Sequence, residues 1–175
     1  MATLTIANFS ADDITRNLQQ LAALMHACVH DGASVGYVMP FTLADSEAFW
    51  TANVLPSVRE RRRALLVAMR DGAIVGSVQL DFDTPPNQPH RAEVRKLLVR
   101  PDFRRQGIGR TLMAEVEKRA AALKRNLLTL DTRTGDSAEP LYASLGYRTV
   151  GIIPGYCLDP FNAKLDSTTV MYKAL

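Results

Sequence analysis

The 175 residues predict an α/β protein, a mixed and mostly antiparallel sheet with helices on both faces, in the order β-α-α-β-β-β-α-β-α-β-β. Three observations point there. Leu65-Leu66-Val67-Ala68-Met69, Asp71-Gly72 and Ile74 to Leu80 form a strand, a tight-turn signal and a second strand. From Glu93 onward, strand runs alternate with helical spacing, as β-α-β units do. At about 150 residues per domain, the length implies one domain over 1–175.

Each element has a local reason. Thr3 to Phe9 alternates apolar and polar residues, a short strand. Ser10-Ala11-Asp12-Asp13 offers an N-cap with acids in the first turn. Ile14, Leu18, Leu21, Ala22, Met25 and Val29 continue at helical spacing to a stop at Gly32. A second helix is expected from Thr42 through Phe49, Trp50 and Val54, ending at Pro56. Pro85 to Pro89 is a loop, Glu93 to Val99 a strand, and Leu112, Met113, Val116, Ala120 and Leu123 mark an amphipathic helix. Leu127 to Leu130, Tyr147 to Ile153 and Thr168 to Tyr172 read as strands, with a short helix from Ser137 to Leu145 closed by Gly146.

Composition excludes several classes. Apolar residues are 47% and charged residues 22%, so the chain is neither disordered nor collagenous. Two cysteines, Cys28 and Cys157, make no disulfide framework, and both are expected reduced. No basic start leads into an apolar run, and no stretch approaches the ~18 apolar residues of a membrane span. A cytoplasmic protein is expected. The net charge of +3 does not demand nucleic acid.

The most informative stretch runs from Glu93 to Leu112, a strand and a turn followed by Arg-x-x-Gly-x-Gly opening a helix. Gly107 and Gly109 let backbone approach a ligand, and the unpaired N–H groups of a helix start attract anions. Arg104, Arg105 and Arg110 surround that start, so a pyrophosphate fits. A dinucleotide fingerprint would need glycine at Leu112, and a P-loop would need Gly-Lys-Ser or Gly-Lys-Thr.

Arg104-Arg105-Gln106-Gly107-Ile108-Gly109 resembles the acetyl-CoA pyrophosphate loop of the GCN5-related N-acetyltransferases. Downstream, Ala138 to Tyr147 is similar to that family's second signature, a helix with a tyrosine just before Leu-Gly-aromatic. Four segments, His30 to Tyr37, Arg91 to Val94, Leu130 to Thr132 and Pro154 to Cys157, resemble tabtoxin-resistance acetyltransferases, which acetylate a β-lactam-bearing amino-acid toxin. Gly135 stands where many members carry an asparagine that contacts the pantetheine arm, so that contact is missing.

The resemblance implies acetyl transfer from acetyl-CoA, as cosubstrate, to the amine of a small molecule, with no metal. Glu93 and Asp131 would be the base, and Tyr142 the acid that protonates the departing thiolate. Both carboxylates stand among apolar strand residues, so burial is expected around them. Cofactor contacts are expected from Leu98, Val99, Arg104, Arg105, Gln106, Gly107, Ile108, Gly109, Arg110 and Thr111, and an oxyanion donor from the main chain near Leu98. Gly32, Ala33, Ser34, Val35 and Gly36 would line the acceptor site. A homodimer is compatible with all of this. The rival readings are a non-catalytic acyl-CoA sensor and, third, a basic nucleic-acid partner.

Other features read as structural. His26 and His30 lack a third ligand at recognised spacing. Arg59 to Arg63 reads as a solvated connection without aromatic interleaving, and Phe49 and Trp50 as core or pocket wall.

Overall fold

The computed structural model describes residues 3–175. Strand β1 (Leu4–Phe9) leads into helices α1 (Ala11–Arg16), α2 (Leu18–His30) and α3 (Leu43–Ala48), a π-helical turn (Phe49–Val54) and α4 (Leu55–Arg59). Three strands follow, β2 (Arg63–Arg70), β3 (Ala73–Asp81) and β4 (Arg91–Val99). Then come α5 (Ile108–Ala122), β5 (Leu127–Arg133), α6 (Ala138–Ser144), β6 (Arg148–Leu158) and β7 (Leu165–Ala174). The seven strands lie in the order β1-β2-β3-β4-β5-β7-β6. Only β4 and β5 pair in parallel, so the expected mixed, mostly antiparallel sheet is present.

The sheet buries a core on each face. Val78, Leu80, Val94 and Leu130 pack against Leu112 and Val116 of α5 and Tyr142 of α6. Leu65, Val67 and Leu98 face the other way, toward Leu21 and Met25 of α2 and the fully buried Trp50.

Three boundaries differ from the sequence expectation. The first helix breaks at Asn17, whose Nδ2 donates to the Asp13 carbonyl at 2.8 Å and competes with the helical ladder. Its start is the expected one: Ser10 and Asp13 cap each other, and those hydrogen bonds hold the Asp13 carboxyl down at about 2. The second helical region passes through a π turn and continues beyond Pro56, which sits in the first turn of α4 where its missing N–H is harmless. Strand β6 runs on to Leu158, because an edge strand tolerates Pro154.

Two features of β4 create the site. Ser77 faces Leu98 and Gln79 faces Arg95, so Lys96 and Leu97 together oppose Val78, a β-bulge. Lys96 takes the left-handed conformation there, at φ 52°. The bulge shifts the alternation: Ala92 and Val94 face α5, then Leu97 and Val99 do. In addition, β4 pairs with β5 only over Arg91–Glu93 and Leu127–Thr129. Beyond that the strands splay, β4 staying with β3 and β5 with β7.

Candidate active site

A cleft of about 490 Å³ opens in the splay. Leu97, Leu98 and Val99 form one wall, and Ala138 and Leu141 of α6 another, with the 104–110 segment at the end. Gly107 is the N-cap of α5 at φ 81°, and no side chain caps the helix. Its first-turn N–H groups therefore have no side-chain capping partner. A Cβ built on Gly107 would meet nothing within 4 Å, so its open face is space for a ligand. Gly109 instead is packed, since a Cβ there would lie 3.2 Å from Leu141 Cδ2. These features fit a pyrophosphate, held by backbone N–H groups at the α5 start.

The arginines divide. Arg105 is exposed and has no ion-pair or hydrogen-bond partner among the described residues, which leaves it available to an anion. Arg104 is engaged, pairing with Asp31 and donating from Nε to the Val99 carbonyl at 3.2 Å. Arg110 donates to Ser144 Oγ at 2.8 Å. Gln106 is tied to Arg70, which donates to it at 2.6 Å, and Thr111 Oγ1 donates to the Gly107 carbonyl. Neither Gln106 nor Thr111 lines the cleft, whereas Leu98, Val99, Gly107, Ile108 and Gly109 do. Gly135, at φ 79°, donates its N–H to Glu139 at 2.7 Å and so fixes the turn into α6.

Replacing Gly107 tests the cradle. Gly107→Val is expected to weaken acetyl-CoA binding at least about tenfold, because the side chain enters the ligand's space and strains a left-handed residue. Calorimetry on a folded variant measures this, and unchanged affinity would remove the cradle.

Glu93 and Asp131 share one face at the root of the splay, since Glu93 is opposite Thr129 and Asp131 lies two residues further along β5. The expectation that they are buried is corrected. The Glu93 side chain is 38% exposed and lies 3.7 Å from Arg95, and Asp131 is exposed, accepting from Thr168 Oγ1 at 3.1 Å. Their apolar neighbours Ala92, Val94, Leu128 and Leu130 all point to the other face, into the α5 core.

Tyr142 is buried in α6, its ring 5.9 Å from that of Tyr147. Burial raises its pKa well above the ordinary phenol value, and the charges of Asp136 and Asp131 reinforce that. The phenol thus keeps its proton throughout the working range.

The Gly32–Gly36 loop is divided between two cavities. Gly32 and Ala33 line the first, Val35 and Gly36 a second of about 530 Å³. Ser34 Oγ lies 3.5 Å from Cys157 Sγ, and Phe161 packs under Gly32. The second cavity gathers Gln79 of β3, which the sequence did not single out, with Arg95 and Lys96 of β4. It also takes Arg63, which is no solvated linker but a half-buried residue paired with Asp81 at 2.7 Å. Cys28 was likewise missed. It lines the first cleft, donates to the Val99 carbonyl at 3.5 Å, and burial pushes its thiol up to about 11. His26 and His30 stack at 3.9 Å, and no metal-binding cluster occurs among the described residues. No helix among them is long and apolar enough to cross a membrane.

A bulged strand splays from its parallel neighbour, and a glycine-capped helix at the wide end makes that end attractive to an anion. The acetyltransferase (GNAT) family model matches residues 37–147, and the chain belongs to that family. An uncharacterized N-acetyltransferase from the hisH–hisA intergenic region of Azospirillum brasilense is 32% identical over 129 residues, 72% of this chain and 74% of that protein. Solved structures share the fold. The ribosomal-protein-alanine N-acetyltransferase of Brucella melitensis has a TM-score of 0.78 at 24% identity, covering 98% of this chain and 99% of its own. A phosphinothricin acetyltransferase from Sinorhizobium meliloti, in complex with acetyl-CoA, has a TM-score of 0.81 at 19% identity, covering 99% and 89%. The protein is an acetyl-CoA-dependent N-acetyltransferase.

Proposed function

We propose that the chain, acting as one domain over 1–175, acetylates a small amino-acid-like amine of the toxin or antibiotic kind by direct attack at the β4–β5 splay. One observation carries this reading: β4 and β5 part after Glu93 and Thr129, next to the Glu93–Asp131 face, and the bulge and the cleft wall of Leu97 to Val99 follow directly along β4. Backbone N–H groups at Gly107 to Gly109 and the free Arg105 hold the pyrophosphate. Leu98 and Val99 pair with the pantetheine amides as an added strand would. A pantetheine N–H donating to the Val99 carbonyl would share it with Arg104 and Cys28, which already donate there.

When bound, acetyl-CoA supplies the thioester carbonyl. Glu93, with Asp131 beside it, takes the amine's proton directly or through water, which their exposure permits. The main-chain N–H near Leu98 stabilises the charge that develops on the carbonyl oxygen. Tyr142 donates to the departing sulfur. Its raised pKa makes it a weaker acid than a thiol, so its contribution is chiefly a hydrogen bond that passes its proton late.

Expected of Glu93→Gln is a kcat loss of at least about tenfold below the amine's pKa that fades as pH rises, because an already neutral amine needs no base. Asp131→Asn shares that profile, and the two losses are non-additive if the carboxylates work as a pair. Profiles of kcat against pH for both variants decide this, and a pH-independent loss would make the residues structural.

A cytoplasmic setting follows from the need for acetyl-CoA and agrees with two free cysteines. The exposed apolar edge strand β6, with Val150, Ile152 and Tyr156 outward, supports a homodimer.

A further inference from the structure

We infer that the second cavity, between the Gly36–Tyr37 segment, the π turn and strands β2 to β4, binds a carboxylate of the acceptor and so restricts acetylation to amines that carry one. This rests on the acetyltransferase reading above and adds the acceptor's charge and the residues that read it.

An ammonium without an ion-pair partner is the first ground. Arg62 turns outward to Glu60 and to Asp83 at 2.7 Å. Arg63 and Arg95 share the single carboxylate of Asp81, at 2.7 and 3.3 Å, and Arg95 also lies 3.7 Å from Glu93. Lys96 has no ion-pair partner within 4.0 Å among the described residues. Asp131 and Glu93 act on Lys96 only at longer range, so its ammonium, on a largely buried side chain at the cavity wall, is the cation without a direct partner. Burial, followed by the Arg95 charge, lowers the Lys96 pKa, a cost that a bound anion would reverse.

A second ground is independent of charge. Gln79 is 1% exposed, and its Oε1 accepts from Arg63 Nη1 at 3.1 Å. Arginine can only donate, so this contact fixes which end of the amide faces it. Nε2 therefore faces away from Arg63, in a side chain that lines the cavity, and it has no hydrogen-bond partner in the protein. A buried donor is costly to leave unmet, and a carboxylate oxygen is the acceptor that would serve both it and Lys96.

Geometry supplies the third. Lys96 is held in the left-handed region by the bulge, beside Gly36, where a Cβ would lie 3.5 Å from Nζ. The side chain is therefore placed by backbone on both sides. The next residues, Leu97 and Leu98, line the acetyl-CoA cleft, so an acceptor anchored at Lys96 stands beside the thioester end. Tyr37, Phe49 and Pro56 provide an apolar wall for the rest of a small molecule.

The test uses the standard L-amino acids, each as free acid and as primary amide, at saturating acetyl-CoA, with CoA release followed. For the best pair the acid is expected to exceed the amide at least about tenfold in kcat/KM, mainly through KM. Lys96→Met should abolish that preference while acetyl-CoA affinity stays unchanged. Gln79→Glu, which replaces the free donor with a carboxylate, should turn it toward the amide. Equal use of acid and amide by the native protein, or an intact preference in Lys96→Met, overturns the inference. Calorimetric binding of the matching N-acetyl amino acid against its N-acetyl amide reads the same site without turnover. If no amine releases CoA, the proposed transfer reaction fails, and the calorimetric comparison alone decides the anion site.

Discussion

Tyr142→Phe should lower kcat by about 10- to 100-fold while leaving acetyl-CoA affinity near normal. The ring keeps its packing against Tyr147 and the α5 core, and only the proton donor is lost. General acid–base catalysis is typically worth 10²–10⁴-fold. The lower end is expected here because a phenol raised above its ordinary value donates weakly, and water can partly substitute. The sign of the pH effect follows. A raised pKa keeps the phenol protonated to higher pH, so the native enzyme shows no alkaline fall in kcat from Tyr142 below about pH 10. Steady-state kinetics across pH, with calorimetry of acetyl-CoA, measure both statements. Full kcat in the variant would make Tyr142 a core residue only.

The second large effect is on stability. A Cβ built on Gly76 would lie 2.8 Å from the Leu98 carbonyl oxygen, and 3.2 and 3.3 Å from Leu112 and Ile108 of α5. The backbone oxygen cannot swing away as a side chain can, so Gly76→Ala forces β3, β4 and α5 apart. Overpacking of this kind costs about 1–3 kcal/mol. For a chain of this size, that lowers Tm by about 2–12 °C. The same displacement moves Leu98 and the start of α5, so KM for acetyl-CoA should rise as well. Thermal unfolding and initial rates test it. An alanine variant with native Tm would show that α5 is not seated through this glycine.

Much of the fold was legible because its patterns are local. The alternation in β1, the Asp71-Gly72 hairpin and the apolar stripe of α5 each sit within one short window. The glycine-capped start of α5 was legible for the same reason, since its glycines and helix start are contiguous. What depends on two strands was not. The Lys96 bulge exists only in the register of β4 against β3. The exposure of Glu93 and Asp131 comes from the splay and from which face each strand turns outward, while the apolar residues beside them suggested the opposite. Arg63 looked like the end of a basic run because Asp81, its partner, is 18 residues away across a hairpin. Gln79 gave no signal at all, being one of three polar residues in a buried strand.

Direct transfer in the splay is tested most closely by a quenched single turnover with enzyme in excess over acetyl-CoA and the best amine present, every product weighed by mass spectrometry. Cys28 makes the measurement decisive, because it lines the cleft and could in principle carry the acetyl group. Burial pushes that thiol up to about 11, which leaves it protonated and a poor nucleophile. The account predicts one acetyl group on the amine nitrogen for each CoA thiol formed, with the protein's mass unchanged throughout. An acetyl group found on Cys28 before the amine is acetylated, or acetyl-CoA bound without CoA release, would contradict it.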